Sequence, residues 1–192
     1  TLIFLDEVQA FPQALEALKY FCEDAPEYHI VVAGSLLGVA LHAGVSFPVG
    51  KVQTLRLFPM DFEEFLMAMG EEQLLKLMHS HDYELMNAFH EKLKDLLRQY
   101  YYVGGMPEVV KAFAENKLLN QVRSLQNEIL SNYASDFSKH APSQEVPRID
   151  MVWQSILGQL SKENKKFVYG VLKKGGRAKE FELAIQWLVD AG

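Results

Sequence analysis

A chain of 192 residues with 49% hydrophobic and 23% charged residues has the composition of an ordinary globular protein, long enough to bury a substantial core as one large domain or two small ones. Its net charge of −6 argues against a surface that coats nucleic acid along its whole extent, though a local basic patch is compatible with it. One cysteine excludes an internal disulfide framework, no apolar run approaches a membrane span, and no signal peptide opens the chain, so a cytoplasmic protein without a membrane partner is expected. That cysteine, Cys22, falls at an apolar helical position and reads as a small core residue rather than a nucleophile or ligand.

The chain opens on Thr1-Leu-Ile-Phe-Leu-Asp-Glu-Val-Gln9. Four consecutive apolar residues suit a central strand of a parallel sheet, covered on both faces. Asp6 and Glu7 then stand at its carboxyl end, the edge where open α/β sheets bind ligands. An apolar strand ending in Asp-Glu matches the Walker B pattern of P-loop NTPases, in which the Asp holds Mg²⁺ through water and the Glu polarises the attacking water. The competing reading is a buried strand meeting a solvated turn with two incidental acids. Phe11-Pro12 starts a crossover helix, with Leu15, Leu18, Phe21 and Cys22 at helical spacing, and Tyr28 to Ala33 is a second strand ending in Gly34-Ser35. Strand, helix and strand form a right-handed parallel βαβ unit. Ser35 therefore reaches the same edge as Asp6 and Glu7, either to orient water or phosphate or to cap a helix over 36–41.

A Gly- and Pro-rich loop over 42–50 precedes an alternating segment, Val52 to Phe58, expected as a third strand. Lys51 and Arg56 near its ends are either surface charges or cations within reach of nucleotide phosphate. Asp61-Phe-Glu-Glu64 has the form of a capping box opening a helix through Met69. Further helices are expected over 71–79, 82–102, 107–114 and 117–137, with Gly104-Gly105 and Pro107 as a sharp break. His79, His81 and His90 fit no standard metal-ligand spacing and read as surface or capping residues. Residues 138–147 read as a linker. Beyond it, helices near 149–160 and 178–189 flank a short apolar element at 167–172 and a Gly175-Gly176 turn, in the manner of a helix-turn-helix module. Lys165, Lys166, Lys173, Lys174, Arg177 and Lys179 concentrate positive charge there. Phosphate binding by that cluster is one reading. Packing and solubility are the other for the last helix, since Glu180, Glu182 and Asp190 accompany it.

The order of these motifs, from Leu5-Asp-Glu-Val-Gln9 through Ala33-Gly-Ser35, Val49-Gly-Lys51 and Leu55-Arg-Leu-Phe-Pro-Met-Asp-Phe-Glu-Glu-Phe65 to Gly104-Gly-Met-Pro107, resembles prokaryotic AAA+ ATPases related to the archaeal and STAND groups. The segment from Tyr133 to Gly192 resembles the winged-helix part of the same architecture. The resemblance implies an α/β fold: a partial P-loop NTPase parallel sheet over 1–66, a helical lid over 67–140, and an incomplete winged-helix-like region over 141–192. It implies Asp6 as the Mg²⁺ acid, Glu7 as the water-activating base, Ser35 at the sensor 1 position, and ATP bound between sheet edge and lid. Lys51 stands where the family often has arginine, and lysine lacks the planar fork of a finger residue. No Gly-x-x-x-x-Gly-Lys-Ser/Thr loop occurs in these residues. The chain therefore reads as a piece of a longer ATPase, expected by itself to bind nucleotide weakly or not at all. A binding module for DNA or a protein partner, with the ATPase half as scaffold, is the alternative function, and self-association is open.

Overall fold

The structure is a computed structural model describing residues 1–35, 38, 48–164 and 166–191. The chain forms two compact units, one of residues 1–55 with 134–192 and one of residues 56–133.

In the first unit, β1 (Leu2–Leu5) and β2 (His29–Val32) pair in parallel, Leu2 opposite His29 and Leu5 opposite Val32. The crossover is α1 (Pro12–Asp24), entered through a 3-10 turn at Val8–Ala10 and started by Pro12. Proline at this position loses no helix bond and has its φ already set. Val8, Leu15 and Leu18 are buried against Ile30 and Val32, so α1 covers one face of the sheet. The other face was expected to be covered as well, but Leu2 and Phe4 stay 66% and 58% exposed and Val31 is exposed beside them. Cys22 is exposed, contrary to its core assignment: the short strands offer apolar surface to the first turns of α1 and not to its last. The expected third strand is not formed either. Residues 52–58 pair with no strand among the described residues, and Leu57 is 100% exposed. An alternating pattern makes a strand only where a neighbour takes up its backbone donors and acceptors. The helix expected over 36–41, apart from helical Gly38, and most of the 42–50 loop lie outside the described residues.

The second unit is helical: α2 (Phe62–Ala68), α3 (Glu72–Ser80), α4 (Tyr83–Ala88), α5 (His90–Val103), α6 (Pro107–Asn116) and the greater part of α7 (Leu119–His140). One core joins Phe65, Val103, Val109, Val110, Phe113 and Val122, and a second joins Leu66, Leu74, Leu77 and Leu96. The helix expected over 82–102 is two helices, because α4 ends at Ala88 and the backbone of its cap, Phe89, leaves the helical region (φ −102°, ψ 9°). Gly105 admits a close approach of backbones. Its carbonyl accepts from the Met60 amide at 2.7 Å, and a Cβ there would collide with the Met60 main chain.

The capping box forms as the sequence indicates. The Asp61 side chain accepts from the Glu64 amide at 2.9 Å, and the Glu64 side chain accepts from the Asp61 amide at 2.9 Å. Two orphan donors at the start of α2 are thereby satisfied. We expect Asp61→Ala to lower the stability of this unit by about 1 kcal/mol, read as a shifted midpoint in a urea titration followed by far-UV circular dichroism.

The first unit resumes at the end of α7. There α8 (Val146–Leu160) and α9 (Ala178–Ala191) pack around Phe137, Ile149, Val152, Phe181 and Ala184. Trp153 and Trp187 meet the Phe137 ring edge-on. The expected linker is only a short connection, since α7 runs to His140 and α8 starts at Val146 with Pro147 in its first turn. A second 3-10 turn, Tyr169–Val171, lies between α8 and α9. Gln159, although polar, is buried. Its amide donates to the Val168 carbonyl and accepts from the Val168 amide, both at 3.1 Å, which pins the connecting chain to α8.

Candidate functional site

The parallel register brings the carboxyl ends of β1 and β2 to one sheet edge. The Ala33 amide donates to the Leu5 carbonyl at 2.8 Å, and the Val8 amide donates to the Ala33 carbonyl at 3.0 Å. Asp6-Glu7 and Gly34-Ser35 therefore leave neighbouring strands side by side. Asp6, Glu7 and Ser35 are all exposed there.

The local backbone explains why the acids come out of the sheet. Glu7 adopts the left-handed conformation (φ 50°, ψ 41°), and its amide donates to Asp6 Oδ1 at 3.0 Å. A non-glycine residue in this region costs roughly 1–2 kcal/mol, and such strain gathers at functional sites. The bend turns the chain from β1 into the 3-10 turn and lets Val8 drop into the core while the two carboxylates remain in solvent. The Asp-Glu pair was legible in the sequence, but the left-handed turn was not, because no glycine or asparagine marks it.

Lys51 is positioned differently. Its Nζ lies 3.3 Å from Glu23 Oε1, in the last turn of α1, the helix that returns from the carboxyl end of β1 toward the start of β2. This connectivity puts Glu23, and the lysine it holds, toward the amino edge of the sheet, away from Asp6 and Glu7. Nothing local in the sequence announces a pairing across so many residues. Arg56 is exposed. His79 Nε2 is 3.0 Å from Glu63 Oε2, and His81 occupies the left-handed position that ends α3. Among the described residues no group of three or more His, Cys, Asp or Glu is arranged to hold a metal ion. Two surface depressions, of about 300 and 500 Å³, are lined by Glu16, Lys19, Tyr20 and Pro48 and by residues around Tyr169 and Glu182. Neither includes the strand-end acids. No helix among the described residues is long and apolar enough to cross a membrane.

Comparison with known families gives two matches. Residues 1–66 match the family described as AAA domain, which links this part of the chain to the AAA+ ATPase superfamily. Residues 94–192, just over half of the chain, match the family described as domain of unknown function (DUF8612). No curated protein matches the chain, and no solved structure does.

Proposed function

Because the chain belongs, through residues 94–192, to the DUF8612 family and carries an AAA-domain match ahead of it, we propose that it is part of an AAA+ ATPase that binds and hydrolyses ATP with Mg²⁺. In this reading residues 1–66 belong to the nucleotide-binding core, 67–140 form a helical lid that responds to the nucleotide, and 141–192 form a winged-helix-like tail. Asp6 holds the hydrated cation, Glu7 polarises the attacking water, and Ser35 senses the γ-phosphate. The observation that carries the reading is the shared edge: an Asp-Glu pair and a Gly-Ser pair end adjacent parallel strands within the AAA match.

The donor chemistry fits the cation. Mg²⁺ keeps several waters and is held by one or two carboxylates together with substrate phosphates, so two neighbouring exposed acids suffice without a three-ligand protein cluster. When bound with ATP it neutralises charge developing on the phosphates. The Asp6 interaction with the Glu7 amide restrains both acids relative to the strand end, and an exposed Glu7 is accessible to water. Lys51, engaged by Glu23, is left out of the proposed site.

The test uses the parent chain that includes a phosphate-binding loop. Glu7→Gln removes the base and keeps size and hydrogen bonding. Turnover should fall by about 10²-fold or more, with ATP affinity changed less than about threefold. Unchanged hydrolysis removes Glu7 from the mechanism.

A further inference from the structure

Charge is segregated along this chain far beyond what its total suggests. Residues 162–179 contain seven basic residues, Lys162, Lys165, Lys166, Lys173, Lys174, Arg177 and Lys179, against the single acid Glu163. That segment carries +6 in a chain of net −6, so the remaining residues together carry −12. Lys166, Lys173, Lys174, Arg177 and Lys179 are exposed. They are displayed on a braced scaffold. Gln159 pins Val168, and the Gly176 amide donates to the Lys173 carbonyl at 2.8 Å. A Cβ on Gly176 would press on the Lys173 and Tyr169 carbonyls and on the Phe181 ring.

From this geometry we infer that the connection between α8 and α9 binds the phosphate backbone of duplex DNA, without reading its sequence. Three features select that partner among polyanions. Exposed cations on a braced connection, one of them the planar fork of Arg177, suit a row of phosphates. Among the described residues the aromatic rings here engage one another and not a solvent-facing row for unpaired bases: Phe167 and Tyr169 pack edge-on at 5.0 Å, and Tyr169 also stacks on Phe181. An acidic membrane would set a broad negative plane against a chain that carries −12 outside this segment, whereas a duplex can be held by a local cluster of cations.

Base reading by α9 is disfavoured. Phe181 and Ala184 are buried in the core, and Glu180 and Glu182 fall within three residues after Lys179. Lys173 Nζ is hydrogen-bonded to Glu180 Oε2 at 3.2 Å, and this lysine holds the Glu180 carboxyl below the usual glutamate range. Glu180 thus competes with phosphate for Lys173. The inference is independent of the ATPase reading, since it uses neither nucleotide nor the strand-end acids.

Fluorescence anisotropy of two unrelated labelled 20-base-pair duplexes, titrated with this chain at several salt concentrations, tests it. We expect micromolar affinity at low salt, within about threefold for the two sequences, and a slope of log K against log salt near −4 for four to five phosphates. Charge reversal at Lys166, Lys174, Arg177 and Lys179 should weaken binding by about 30-fold or more and flatten the slope, with tryptophan fluorescence checking that the unit stays folded. Glu180→Gln, a surface change that frees Lys173, should tighten binding about two- to fivefold and steepen the slope. No duplex binding at low salt, equal affinity for the reversal variant, no gain from Glu180→Gln, or preference for phosphatidylserine vesicles or single-stranded RNA over duplex would each overturn the inference.

Discussion

Phe65→Ala lowers the stability of the helical unit by about 3–5 kcal/mol. The ring is fully buried. It stacks near Phe62 at 6.4 Å and meets Tyr100 at 5.5 Å with a 55° tilt, inside the core built by Val103, Val109, Val110, Phe113 and Val122. Truncation removes the transfer energy of the ring and leaves a void that these partners fill only in part, because they lie on helices held by other contacts. Tyr100 cannot simply swing into the space: its hydroxyl donates to the Met60 carbonyl at 2.9 Å. The Met60 amide in turn donates to the Gly105 carbonyl, so Tyr100, the entry to α2 and the break before α6 are tied together and cannot close on the void. Far-UV circular dichroism against urea reads the effect. A loss below about 1 kcal/mol would mean that Phe65 is not at the centre of this core.

Phe181→Ala has a comparable cost, about 3–5 kcal/mol, and a distinct optical signature. Both tryptophans of the chain, Trp153 and Trp187, pack in the core that Phe181 helps to build. Their emission therefore reports this unit selectively, and the denaturation midpoint of the Phe181→Ala protein should fall in that signal. The Phe65→Ala protein should show its main shift in circular dichroism instead. Phe181 also backs the tight turn at Gly176. Its loss should loosen the basic connection before the unit unfolds globally, seen as faster amide exchange at Leu172 and Gly176, whose amides bond back to Tyr169 and Lys173.

The exposed residues of the first unit follow from how few strands the described residues form. Each parallel strand is apolar on both sides, as a strand covered on two faces should be. Yet α1 covers one side only, leaving Leu2, Phe4 and Val31 exposed. Residues 52–58 have the alternation of a strand and the same exposure, with Leu55, Leu57 and Phe58 in solvent. Local pattern and realised structure diverge here for one reason. A strand's stability comes from pairing and from the layer above it, which a sequence window does not contain.

The sequence alone was enough to specify what depends on near neighbours: the βαβ order with Pro12 opening α1, the capping box at Asp61 and Glu64, the break at Gly104-Gly105, and the arrival of Asp6, Glu7 and Ser35 at a common edge through parallel connectivity. Tertiary structure decided what depends on distant partners. It tied Lys51 to Glu23, left Cys22 in solvent, divided 82–102 at Phe89, and buried Gln159 where its amide could satisfy Val168. Helix starts and chain direction are set by bonds a few residues long, whereas burial and ion pairing are set by whichever surface folding brings opposite, and that surface is remote in the chain.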